Sequence, residues 1–291
     1  MELKPIFRYI GGKTWMSDFL RKSVAKMCKE NDFKAYCEPF VGGLGAFIAI
    51  HDLLLSNGIK RVYLNDLNKT IISFYTVVFN NPVGLINEVM KIEDLFSLLV
   101  SKKSLEDARG FYLEQRNLFN TKKLSAVKKS ALLVFLQNHC FNGIYRENLS
   151  GGYNSPFNWS KRIFDKDQIK EKIMLVNKLF KSFDICFSSI SFEKLDMDQS
   201  TLYYLDPPYF NKIGNENKYN KLFFDLKKQK ELINLISDKK FIYSNHYESE
   251  IINEFKLFPY KYKFNKIKRK NIMSSKVSSR KDIKVEVLIT S

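Results

Sequence analysis

The chain has 291 residues, 45% of them apolar and including 25 Phe and 15 Tyr, which is enough to bury a substantial core and excludes a wholly disordered protein. Its formal charge of +17, from 48 basic against 31 acidic residues, points to a polyanionic partner, because each phosphate neutralised releases counterions. Four scattered cysteines without a CxxC pair and three histidines argue against a zinc site, residues 1–5 resemble no signal peptide, and the longest apolar run (residues 40–50) is too short to span a bilayer, so a soluble, reduced, intracellular protein is expected.

In chain order, Gly11-Gly12-Lys13-Thr14 mimics the end of a phosphate-binding loop. That loop requires a glycine five residues before Gly12, where Phe7 stands, so the NTPase reading fails on spacing. Residues 35–37 read as a short strand ending at Glu38. The turn Glu38-Pro39-Phe40-Val41-Gly42-Gly43 follows, with glycines where a ligand can approach the backbone. A helix with apolar Phe47, Ile48, Leu54 and Leu55 comes next. Residues 61–64 form a second strand closing at Asn65-Asp66, where an acid can accept hydrogen bonds from ribose hydroxyls. This β-turn-α-β unit begins a doubly wound sheet, although a glycine turn alone is also compatible with a purely structural role.

From about residue 75 to 168 the pattern turns helical and Lys-rich, then irregular and polar over 142–158, as in an inserted helical domain. Strand patterns return at 182–189, 201–205 and 241–244. Residues 283–287 alternate strictly, predicting a half-buried antiparallel strand. Between Lys256 and Lys284 lie eleven basic residues against one acid, Asp282, a local excess of +10 suited to a nucleic-acid backbone.

The apolar run Leu202-Tyr203-Tyr204-Leu205 stops at Asp206-Pro207-Pro208-Tyr209. In an open α/β sheet that carboxyl edge is where ligands bind. Two prolines fix the backbone and leave carbonyls as acceptors. A carboxylate, rigid carbonyls and an aromatic face suit a planar ring with an exocyclic amino group, while an ordinary strand followed by a proline turn is the plainer alternative.

Arg8-Tyr9-Ile10-Gly11-Gly12-Lys13, Glu38-Pro39-Phe40-Val41-Gly42-Gly43, Asn65-Asp66-Leu67-Asn68, Phe141-Asn142-Gly143-Ile144-Tyr145-Arg146 and Asp206-Pro207-Pro208-Tyr209 occur in the order seen in the Dam-type (D12 class, alpha group) N6-adenine DNA methyltransferases. The resemblance extends through Ser244-Asn245-His246. It implies an α/β fold, with a Rossmann-like AdoMet-dependent methyltransferase sheet and an inserted, mostly helical DNA-recognition domain. The expected division is 1–75 and 168–291 for the catalytic domain and 76–167 for recognition.

Carried over position by position, the resemblance places Tyr9, Gly11, Gly12 and Lys13 at the methionine end of S-adenosyl-L-methionine, with Lys13 countering its carboxylate. Glu38, Phe40 and Gly42 belong to the glycine turn, Asp66 to the ribose, and Tyr219 to closure of the pocket. Phe192 resembles the residue packing on the cofactor adenine, and a core aromatic is an equal reading. Leu44 departs from the family, many members of which have a third glycine there.

Asp206 and the Pro207 carbonyl would accept the two amino hydrogens of an extruded adenine, beside Pro208, and Tyr209 would stack on the base. No metal is required. Arg8, Phe141, Asn142, Ile144, Arg146, Asn148 and Pro156 are expected at DNA. Phe141 and Asn142 would wedge into the gap left by the base, and Ile144 and Pro156 would touch thymine methyls. Arg146 reads guanine or, in the plainer alternative, grips a phosphate. Lys161, Arg162 and Lys268-Arg269-Lys270 are expected at phosphates. Glu147 and Asn158 depart from common family residues.

The expected activity is N6-adenine methylation of double-stranded DNA, with GATC the first candidate site. A cytosine-N4 or RNA-adenine methyltransferase and a catalytically silent DNA-binding relative are the alternatives. The expected setting is a monomer in a prokaryotic or phage-infected cytoplasm, functionally paired with a restriction endonuclease and without membrane contact.

Overall fold

A computed structural model describes residues 3–7, 9, 12–101, 105–121, 123–148, 150–158, 165–209, 224–270 and 283–291. Arg8, Gly11, Lys161, Arg162 and Tyr219 lie outside them, and of the side chains in the basic triplet only that of Lys268 is described.

Helix α1 (Ser17–Glu30) precedes β1 (Ala35–Glu38), which continues through the glycine turn into α2 (Gly45–Ser56) and β2 (Arg61–Asn65). Helix α3 (Lys69–Asn80) starts where the Asn68 side chain accepts from the Thr70 N–H. Helices α4 (Pro82–Ser101), α5 (Leu105–Phe119) and α6 (Ala126–His139) come next, and α7 (Lys166–Lys181) leads back to the sheet. There follow β3 (Asp184–Ser188), β4 (Thr201–Leu205), α8 (Leu226–Ile236), β5 (Lys240–His246), α9 (Ser249–Lys256), β6 (Lys263–Lys270) and β7 (Ile283–Thr290).

The strand order is β3-β2-β1-β4-β5-β7-β6, parallel except for antiparallel β7, which pairs with both β5 and β6. The chain runs outward from β1 to β3, then restarts on the other side of β1 as β4. The order therefore reverses between β1 and β4, the switch point where such sheets bind ligands. Side chains of β4 alternate between two cores. Leu202 and Tyr204 join the one that also contains α1–α7, while Tyr203 and Leu205 join the one under α8 and α9. Both faces are covered, which accounts for the uninterrupted apolar run.

The strand expected over 182–189 is shorter, at Asp184–Ser188, and that expected over 241–244 extends to Lys240–His246. The half-buried reading of the last strand fails. Glu286, Val287, Leu288 and Ile289 are all buried, because β7 lies inside the sheet and not at its rim. Strand β6 takes the edge, with Lys263, Lys266 and Lys268 exposed, and such charges discourage further strand pairing. The expected domain limits fall inside α3 and α7, whose apolar residues share one core with those of α4–α6.

Candidate active site

An open depression of about 350 Å³ lined by Cys28 to Phe33, Asn57 and Ile59 lies at the amino-terminal edge of β1 and β2. The candidate catalytic residues gather at the opposite, carboxyl edge.

Asp206 follows β4 directly and is 18% exposed. Its Oδ2 receives Lys13 Nζ at 2.7 Å, with Lys13 only 4% exposed. Its Oδ1 accepts from Ser244 Oγ at 2.8 Å, and the Tyr204 hydroxyl lies 3.4 Å from that same Oγ. Since Ser244 has one hydrogen and gives it to Asp206, Tyr204 is the donor in the second contact. Both carboxylate oxygens are thus oriented by groups from separate parts of the chain. Lys13, expected at a cofactor carboxylate, is held here by Asp206.

The Tyr209 ring lies under Lys13 Nζ, 4.7 Å from the ring centroid, and meets the His246 ring edge-on at 4.6 Å. Its hydroxyl donates to Glu286 Oε2 at 2.9 Å. Burial pushes the Tyr209 hydroxyl well above its usual range, and the Asp206 and Glu286 charges reinforce the shift. The ring therefore stays neutral and is anchored at its far end.

Glu38 ends β1 and is buried, with its Oε1 accepting from the Tyr36 hydroxyl at 2.6 Å. Burial lifts its carboxyl to about 8; Asp206 adds to the shift and the Tyr36 hydrogen bond opposes it. A buried acid held near neutrality at a sheet edge is a candidate for contact with a cationic ligand.

The turn after Glu38 is closed by Val41 N–H donating to the Asn65 carbonyl at 2.9 Å. Gly42 has φ +45° and Leu44 φ +66°. Leu44 thus occupies a left-handed conformation that glycine adopts without cost, which gives a physical reason for a third glycine at that position. A Cβ on Gly43 would sit 2.7 Å from the Tyr9 Cβ, so glycine there admits the amino-terminal segment. Asp66 Oδ2 accepts from Gly42 N–H and Oδ1 from Asn68 N–H, both at 2.9 Å. Burial raises the Asp66 carboxyl, opposed by those two donors. Each oxygen has capacity for another donor, which fits a ligand hydroxyl pair. Phe40, Phe192 and Phe224 form a wall with centroids 5.6–5.8 Å apart. Phe192 is buried in it, so its core role is present whatever packs against the wall.

The expected recognition residues lie on a hairpin-like segment between α6 and residue 158. Phe141 N–H donates to the Pro156 carbonyl, and Asn148 N–H to that of Gly152. Phe141, Asn142 and Pro156 are exposed, whereas Ile144 and Arg146 are half-buried. Asn142 has φ +59°, which turns the chain sharply just beyond α6. The Asn148 side-chain oxygen accepts from the Ser150 and Gly152 N–H groups, so it closes a turn.

Sequence reasoning missed the buried support of this segment. Ser155 Oγ donates to the Ile144 carbonyl and accepts from the Arg146 N–H. Tyr112 donates to the Ser155 carbonyl at 2.9 Å, and Asn120, directly after α5, brackets the Tyr153 backbone. Glu147 accepts from Tyr145 and Asn68, facing the glycine-turn side. Ser244, Glu286 and Gln229 were also missed. Ser244 and Glu286 are polar residues inside β5 and β7, and Gln229 occupies an apolar-face position of α8, between Leu226 and Ile233.

The model of the D12 class N6 adenine-specific DNA methyltransferases matches residues 9–276. The type II methyltransferase M.MjaIII of Methanocaldococcus jannaschii is 33% identical over 300 residues, covering 99% of each chain. The type II methyltransferase M.CviBI of Paramecium bursaria Chlorella virus NC1A is 27% identical over 71% of this chain and 69% of its own. A DNA adenine methylase of Salmonella typhi is 24% identical over 96% of this chain and 92% of its own. The chain belongs to the D12 class of N6 adenine-specific DNA methyltransferases.

Proposed function

We propose that the protein transfers the methyl group of S-adenosyl-L-methionine to N6 of an adenine extruded from double-stranded DNA. The carrying observation is Asp206 at the switch point, oriented on both oxygens by Lys13 and Ser244 and followed by a rigid diproline and an anchored aromatic ring. When bound, the cofactor supplies an electrophilic methyl group and departs as a neutral thioether. Asp66 and the Gly42 turn would hold its ribose, Glu38 its cationic end, and the Phe40–Phe192–Phe224 wall its adenine. Tyr9, Gly12 and Lys13 would line its methionine end.

Asp206 and the Pro207 carbonyl accept the two N6 hydrogens. The amino nitrogen can then pyramidalise, aim its lone pair at the methyl carbon, and lose one proton after the N–C bond forms. Alignment of the reactants contributes roughly 7–11 kcal/mol in such reactions, and fixed acceptors facing the developing positive charge add to it. Extruding the base costs a few kcal/mol, recovered in part by stacking on Tyr209.

Residues 76–167, with the 141–158 segment at their exposed end, would read the target. In this reading Phe141 and Asn142 fill the vacated gap, Ile144 and Pro156 contact thymine methyls, and Arg146 forks onto a guanine. GATC is the sequence to test first. The basic residues of β6 would follow phosphates, the chain acting as a monomer. A restriction partner is proposed because two relatives are named type II methyltransferases. No helix among the described residues is long and apolar enough to cross a membrane, and the cytoplasm is proposed as the site of action.

Mass spectrometry of nucleosides from unmethylated DNA treated with protein and cofactor, with Asp206→Ala alongside, tests the reading. N6-methyladenine that disappears in the variant supports it. N4-methylcytosine, or no methylated base in DNA, overturns it in favour of the neighbouring acceptor classes or a binding role.

A further inference from the structure

The Asp206-Pro207-Pro208-Tyr209 backbone has one torsion that its sequence leaves soft. Each proline ring fixes its own φ, and a residue that precedes proline is confined to extended ψ, which covers Asp206 and Pro207. Pro208 is the first residue whose ψ is unconstrained, and that angle decides where Tyr209 goes. The Pro208 carbonyl accepts from Gln229 Nε2 at 2.9 Å. Gln229 is 0% exposed, on the buried face of α8. Its Oε1 accepts from the Tyr243 hydroxyl at 2.6 Å and from Asn245 Nδ2 at 3.3 Å. These two donors on β5 dictate the amide's orientation. If it flipped, its NH₂ would meet the Asn245 NH₂ and its oxygen would meet the Pro208 carbonyl.

We infer that Gln229 is a positioning residue for methyl transfer, setting the Pro208 carbonyl and hence the base-stacking ring of Tyr209 relative to β5. It acts through Pro208 and touches neither the donor nor the acceptor of the methyl group. The inference rests on the proposed chemistry at this loop. Its distinctive requirement is a donor at the side-chain end facing Pro208 and an acceptor at the end facing Tyr243.

Gln229→Met keeps the length of the side chain and removes the donor facing Pro208. A second variant, Gln229→Leu with Tyr243→Phe, removes both sides of the buried hydrogen bond together, which limits the folding penalty. Single-turnover methyl transfer to duplex DNA should fall by about 10–100-fold in both variants, the scale of an ångström-sized misplacement. Dissociation constants for S-adenosyl-L-methionine and for DNA should stay within about twofold, so the loss appears in the transfer rate and not in KM. Transfer within twofold of wild type in either folded variant overturns the inference, as does a rate loss matched by equal losses in both affinities. A wild-type control that methylates no adenine would instead overturn the underlying reading, so the two failures are distinguishable.

Discussion

Lys13 and Asp206 form a 2.7 Å ion pair joining the amino-terminal segment to the end of β4, across 193 residues of chain by their numbering. The lysine is almost fully buried and its ammonium also faces the Tyr209 ring. Removing the cation alone leaves the carboxylate poorly solvated. Lys13→Met should therefore destabilise the fold by roughly 3 kcal/mol, the low end for broken buried pairs because Asp206 keeps some solvent. Urea unfolding reads this directly, and an unchanged midpoint would show that the pair contributes nothing to stability.

Glu38 provides a pH signature. Its folded carboxyl titrates near 8, above the ordinary glutamate value of 4.5. The folded state therefore binds more protons than the unfolded chain between those values. By linkage, its contribution to stability is present below the unfolded pKa and declines as pH rises through about 8. Glu38→Gln should flatten the stability profile between pH 5 and 8 while preserving an acceptor for Tyr36. A cationic ligand beside Glu38 should also release a proton on binding near pH 7. Titration calorimetry in buffers of different ionisation enthalpy should detect it, and buffer-independent heats would place the ligand's cation elsewhere.

At Leu44 two effects oppose each other. The left-handed backbone costs a leucine about 1–2 kcal/mol. The side chain is 1% exposed, and deleting such a group costs about 2–5 kcal/mol. Burial outweighs the backbone strain, so Leu44→Gly should destabilise by roughly 1–3 kcal/mol even though it relieves that strain. A variant more stable than wild type in thermal unfolding would reverse that ranking.

Recognition should fail from inside as well as from the surface. Arg146→Ala should cost roughly 1–3 kcal/mol of discrimination at one base pair. Ser155→Ala should produce a milder version of the same loss, because Ser155 ties the Arg146 N–H to the Ile144 carbonyl without facing DNA. Sequencing of methylated sites measures both. An unchanged target motif in Arg146→Ala would make that residue a backbone contact.

The sheet was legible because its strands are either short apolar runs or stop at turn signals, and β4 was placed to the residue at Thr201–Leu205. The glycine turn, Asp66 and the diproline carried enough local chemistry to be singled out individually as candidates. What escaped are groups whose role depends on distant neighbours. Gln229 is a polar residue on the apolar face of α8 with no visible partner until that helix is docked on β5, and Glu286 reads as the outward member of an alternating strand until β7 is inserted inside the sheet. Ser155 is an ordinary loop serine until Tyr112 and Ile144 close around it. Periodicity reports burial along one element and is silent about which elements will meet.

Tyr9 lies over the Gly42–Gly43 turn and stacks on Tyr145 with centroids 5.9 Å apart. Tyr145 and Asn68 both donate to Glu147, and Asn68 also donates its N–H to Asp66. The glycine turn and the 141–158 segment are thus in mechanical contact through two short routes. Thermodynamic reciprocity then applies to whatever occupies them. If a ligand at the turn steadies Tyr9 and Asp66 and thereby changes affinity at the hairpin, a duplex on the hairpin changes affinity at the turn by the same factor. Order of addition can alter the path to the ternary complex but not its free energy, and under that condition the two ligands are each other's effectors.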